Sequence, residues 1–232
     1  MLLPKATIAM LVFPELETLD LMGPLAVFSA VPSLKTVLVW KNREPIDLGH
    51  GVRIVPDATF DEVESPDVLF VPGGNGIRNA IAEPAALAFL RDRGETASYI
   101  TSVCTGSLVL GAAGLLRGYR ATSHWRFLDL LSRLGAQPVE ERVVRDRNRI
   151  TGGGITAGID FGLTILAELC GTAVAQGVQL ALEYQPAPPF SSGSPHTAPP
   201  DVVRAVEAQA QPLYDARVEL LRPFSTGIAT RT

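Results

Sequence analysis

The chain has 232 residues, 47% of them apolar and 19% charged, enough material for a sizeable core and too apolar for a chain that is mostly disordered. The formal net charge is −4 with no basic run, which argues against nucleic acid as a partner. The two cysteines, Cys104 and Cys170, lie far apart and form no metal-ligand cluster with His50, His124 or His196, so the expectation is a reduced, cytoplasmic protein with no disulfide framework and no metal.

Met1-Leu2-Leu3-Pro4-Lys5 leads into an apolar run at residues 8–13 that is too short for a secretory leader. No stretch supplies the roughly 20 predominantly apolar residues of a membrane span. The low-charge stretch 151–167 contains Asp160 and several glycines and reads as a buried helix. Residues 7–13 read as a strand closed by Pro14, and residues 19–31 as a helix with Leu21, Leu25 and Phe28 on one face. A second strand covers 36–40. A third, 67–71, runs into Pro72-Gly73-Gly74. After a helix at 85–93, a fourth core strand at 99–103 ends on Cys104, and a helix resumes at Gly106 through Leu108, Leu110, Leu115 and Leu116. Short runs that are apolar on both faces, alternating with helices, predict an α/β protein with parallel strands covered on both sides.

The second half adds an extended piece at 120–123, a helix at 125–134, short strands near 142–145 and 149–151, and a helical stretch at 156–184 broken at Gly171. The stretch 185–200 holds six prolines and reads as a surface loop leading a last helix, 201–223, back onto the body. With no internal repeat, residues 1–232 are expected to form one domain.

Four places carry chemistry. Ser102-Val103-Cys104-Thr105-Gly106-Ser107 sits where a core strand turns into a helix, a position that exposes a nucleophile at the carboxyl end of a sheet. Backbone N–H groups and the positive helix end there are expected to favour thiolate over thiol, whereas the bland alternative is a buried, inert cysteine. Gly73-Gly74 follows another core strand, and the amides of Gly74 and Thr105 are expected to form a two-donor pocket; taken alone, a Gly-Gly is an ordinary turn. It is no dinucleotide fingerprint, because the glycine spacing fails there and at Gly152-Gly153-Gly154. Asp20 either complements a helix end or leans over the sheet toward Cys104. His124 either orients the thiol or, as is commoner for a lone His beside a Trp, is structural. Cys170, in an apolar helical run, is expected to be core.

With these segments aligned, the chain resembles the DJ-1/PfpI superfamily through Asp20, Pro72-Gly73-Gly74 and Cys104. Within it, the chain is similar to the isocyanide hydratases. That match rests on Thr101 to Leu116, Ala121-Thr122-Ser123-His124-Trp125, Thr151 to Asp160, and Leu182-Glu183-Tyr184 with the proline-rich segment after it. The resemblance implies a flavodoxin-like, mostly parallel sheet with helices on both faces, and a homodimer. It implies cofactor-free hydration of an isocyanide, with Cys104 as nucleophile, Asp20 as proton carrier, and Gly73, His124 and Thr156 around them. Amidases and proteases of the superfamily carry His directly after the nucleophile, where this chain has Thr105, so peptidase activity is not expected. A non-catalytic ligand-sensing domain of the amidotransferase-like type is the rival class, and residues 201–232 are not expected to hold the helix-turn-helix module of a complete transcription regulator. A redox-responsive or glyoxalase-like member would carry Glu at position 20.

Overall fold

The computed structural model describes residues 5–225; residues 1–4, where a leader would begin, and the extreme ends of the 1–232 unit lie outside it. The elements run β1 (Ala6–Leu11), α1 (Thr18–Ser29), β2 (Leu34–Val39), β3 (Ile46–Gly49), β4 (Val52–Ile54), β5 (Val68–Val71), α2 (Ile77–Ile81), α3 (Pro84–Gly94), β6 (Tyr99–Val103) and α4 (Gly106–Ala112). They continue through β7 (Arg120–Ala121), α5 (Leu130–Arg133), β8 (Gln137–Pro138), β9 (Val143–Asp146), β10 (Arg149–Gly152), α6 (Ala157–Cys170), α7 (Thr172–Ala181) and α8 (Pro200–Leu221).

Six strands form the main sheet in the order β2-β1-β5-β6-β10-β9, parallel except for the β9 edge. Every residue of β5 is buried, as is nearly all of β1, because helices cover both faces and leave no side for water. The expected α/β class is what the chain adopts. β2 lies on one side of β1 and β5 on the other, so the connections that leave β1 and β5 diverge. A crevice opens at the carboxyl ends of the strands where they part, the place where open α/β sheets bind ligands. Residues after β1, β5 and β6 meet there.

The predicted strands and long helices appear at their expected places with most ends shifted by up to three residues, and four regions differ. The helix expected from Gly106 through Leu115 and Leu116 stops at Ala112, and those two leucines lie in the turns that follow. The helix expected over 125–134 is a 3-10 turn, Trp125–Phe127, followed by the single-turn α5. The His124 ring closes that turn, accepting the Arg126 N–H at Nδ1 (3.2 Å), and Phe127 turns inward and is buried. The extended piece 120–123 pairs only at β7, because the Thr122 N–H is donated to Thr151 Oγ1 (2.8 Å) instead of to a strand. The hairpin β3–β4 and the short α2 were not expected, since each keeps its period for only three to five residues. Gly171 breaks the long helix with φ 89°, as expected, and Cys170 beside it is buried. The proline-rich segment leads into α8, which returns to the body through the buried Arg217 and Leu221.

Candidate active site

Cys104 follows β6 with φ 55°, the left-handed region that costs a non-glycine residue about 1–3 kcal/mol and persists only where its surroundings enforce it. Here they do. Its N–H is donated to the carbonyls of Gly152 (3.1 Å) and Gly153 (2.7 Å), and its own carbonyl accepts the hydroxyls of Ser107 and Ser123, both at 3.1 Å. The kink also requires Gly106: a Cβ there would stand 2.1 Å from the Val71 carbonyl oxygen, so only glycine lets α4 start this close to β5. The thiol is therefore held at the sheet's carboxyl edge, 4% exposed.

Asp20, in the first turn of α1, is fully buried and does lean over the sheet. Its Oδ2 accepts the Gly73 N–H (2.9 Å). Its Oδ1 is buried with no hydrogen-bond partner among the described residues, and the Cys104 thiol lies within interaction range of the carboxyl. Burial raises this acid to about 7, with the Gly73 N–H opposing and the Glu17 charge adding to the rise. Burial also pushes the Cys104 thiol well up. The Asp20 charge adds to that, while the Thr105 N–H, the Arg217 guanidinium and the Thr105 hydroxyl pull it back. This corrects the expectation that the turn by itself favours thiolate: α4 has seven residues, and desolvation outweighs its amides. The two groups form a coupled pair whose members cannot both carry negative charge, so the first proton lost leaves one charge shared between them. With the remaining proton on Asp20, the repulsion that raises the thiol disappears.

Of the expected amide donors, only Thr105 serves the thiol. The Gly74 N–H is donated to Thr105 Oγ1 (3.1 Å), so the two-donor pocket drawn from Gly74 and Thr105 does not form: a threonine hydroxyl beside a glycine amide satisfies it first. Gly73 acts instead, through Asp20, and its Cβ position would fall 2.5 Å from the Thr105 nitrogen and 2.9 Å from Asp20 Oδ2. His124 caps its turn and stacks on Trp125, and burial, then the Arg217 charge, lowers it to about 4, so it is neutral and no base for the thiol. Thr156 is exposed, its carbonyl taking Arg142 Nη2 (2.9 Å). With Ser123, His124 and Gly153 it lines a cleft of about 280 Å³ that reaches the backbone partners of Cys104.

One residue had no signal in the sequence. Arg217, on α8, is 4% exposed; its Nη2 donates to the Gly74 carbonyl (2.9 Å), and its guanidinium lies 3.8 Å from the Phe127 ring centroid. Among the described residues no group of three or more His, Cys, Asp or Glu side chains is placed to hold a metal ion, and no helix is long and apolar enough to cross a membrane.

Residues 6–168 match the model of the DJ-1/PfpI family. An isonitrile hydratase of Pseudomonas putida is 52% identical over 213 residues, covering 92% of this chain and 93% of that protein. The crystal structure of a ThiJ/PfpI family protein from Pseudomonas syringae superposes with a TM-score of 0.92 at 48% identity, covering 94% of this chain and 91% of that one. The Parkinson disease protein 7 homolog of Danio rerio is 30% identical over 72% of this chain and 90% of its own length. Fold, site position and sequence agree, and the chain belongs to the DJ-1/PfpI family.

Proposed function

We propose that this protein is an isocyanide hydratase, adding water to R–N≡C to give the N-substituted formamide R–NH–CHO through a covalent bond to Cys104. The observation that carries this reading is the buried Asp20–Cys104 pair, and the extent of similarity to the P. putida isonitrile hydratase supports it. In the reactive form Cys104 is thiolate and Asp20 is protonated. The sulfur bonds to the terminal isocyanide carbon, a soft electrophile matched to a soft nucleophile, while Asp20 delivers its proton to that carbon. The product is a thioimidate, R–N=CH–S–Cys104. The Asp20 carboxylate then takes a proton from water as the water oxygen bonds to the same carbon, and that proton passes to the nitrogen. When the C–S bond breaks, the hydroxyl proton returns to Asp20 and the thiolate is restored. Atoms and charges balance with no metal or organic cofactor in any step. The Thr105 N–H steadies the sulfur whenever it is anionic, and Gly73 aims the carboxyl.

The whole chain acts as one domain, in a cytoplasmic homodimer. The apolar side chains left outside on α7, the proline-rich segment and α8 support the dimer, Leu180 being 82% and Phe190 78% exposed. Incubation with a simple alkyl or aryl isocyanide, following formamide by mass, tests the reaction: product is expected far beyond one equivalent per chain. Saturable thermal stabilisation by an isocyanide that is recovered unchanged after hours would instead make the protein a ligand sensor and overturn the reading.

A further inference from the structure

Arg217 is a buried cation without a structural counterion. No carboxylate lies within ion-pair distance of it among the described residues, and Nε and Nη1 are buried with no hydrogen-bond partner. Taking a guanidinium out of water costs several kcal/mol, and leaving its donors unmet adds to that cost. A latch between α8 and the Gly74 carbonyl needs only Nη2, and a neutral amide would serve. Its contacts lead to Cys104 from two sides: Gly74, whose carbonyl it holds, donates its N–H to Oγ1 of Thr105, the residue after Cys104, and Phe127, whose ring it covers, follows Ser123, whose hydroxyl donates to the Cys104 carbonyl. We infer that Arg217 is a positioning residue of this site: a fixed positive charge, clamped between the Gly74 carbonyl and the Phe127 ring, that lets Cys104 hold the negative charge of the pair while Asp20 keeps the proton.

The surroundings leave little else to do this. Cys104 faces the acid Asp20 from α1, itself under the influence of Glu17, and the cation Arg217 from α8. His124, from the turn beneath α8, is neutral near pH 7. On α8 itself Asp201, Arg204, Asp215 and Glu219 are exposed, Asp215 accepting from Gln211 Nε2 (2.8 Å) and Glu219 pairing with Arg222, and Glu207 is half-buried. Arg217 also lies outside residues 6–168, so the part of the chain that matches the family model contains the pair but not the charge that sets its proton.

The inference rests on the reading of Cys104 as nucleophile, but its first measurement needs no isocyanide. The pH dependence of Cys104 alkylation by iodoacetamide, read by peptide mass, is compared in the wild-type protein, Arg217→Gln and Arg217→Lys, alongside formamide formation. In Arg217→Gln the alkylation midpoint is expected to rise by about one pH unit or more, a tenfold loss of thiolate at a given pH, with a similar loss of turnover near pH 7. Arg217→Lys, which keeps the charge, is expected to stay within about half a unit of the wild type. A folded Arg217→Gln with an unmoved midpoint overturns the inference. If the glutamine variant does not fold, the lysine variant decides, and a midpoint about a unit or more above the wild type overturns it. Absence of formamide from the wild-type protein, with the midpoints moving as expected, would count against the hydratase and leave Arg217 its role.

Discussion

Asp20 is fully buried, and this makes its titration visible both in rate and in stability. Only the singly protonated pair contains the thiolate–acid form, so turnover is expected to rise about tenfold per pH unit below about 7, where the doubly protonated pair loses its first proton, and to level off above. A profile flat between pH 5 and 8 would contradict this. For stability, the folded carboxyl binds its proton more tightly than the unfolded one, since 3.8 is raised to about 7. Between those values the native state holds more protons, and stability falls as pH rises through the window. Asp20→Asn removes this penalty, so urea melts should show the variant gaining on the wild type between pH 4 and pH 8, by an amount on the order of a few kcal/mol. The same variant should lose about 10²-fold or more in turnover, as the side chain keeps its shape but has no proton to give. Cys104→Ser should abolish formamide formation, whereas Cys170→Ser, buried in a helix end remote from the pair, should keep most of it. Cys104 was legible because it ends a strong apolar strand where a helix begins, whereas the residues alone left Asp20 either a helix-end charge or a site acid, and the family resemblance favoured the second. Arg217 was not legible: it is one of 20 Lys and Arg residues, with no spacing that ties it to Cys104.

At the level of elements, the core strands and long helices could be read because their apolar runs are continuous and bounded by glycine or proline. What escaped was structure fixed by single hydrogen bonds. The His124 ring caps the start of a one-turn segment where the pattern reads as a longer helix, and the Thr105 hydroxyl takes the amide that the glycine pattern offers to a ligand. The close seating of α4 against β5 gives an element-scale prediction. Gly106→Ala puts a methyl group against the Val71 carbonyl, and thermal melts should show Tm lowered by roughly 10 °C, corresponding to about 3 kcal/mol of overpacking. Gly73→Ala presses on Thr105 and Asp20 instead. There, activity should fall by more than stability does, as seen by comparing kcat with Tm.

For the molecule as a whole, the apolar side chains of α7 and the segment before α8 mark the face expected to be covered by a second copy. Light scattering after gel filtration should give twice the 24.7 kDa chain mass, and Leu180→Asp should shift the species toward monomer if that face is the contact. The topology carries a different consequence. The site draws Asp20, Gly73, Cys104 and Arg217 from four separate segments of the chain, and the Arg217–Gly74 bond closes a separation of 143 residues. Arg217 is synthesised after the other three, and α8 must dock before its guanidinium can reach Gly74. Recovery of turnover should therefore lag behind recovery of the circular dichroism signal, and a chain ending at residue 199 should regain much of the secondary structure with little of the activity.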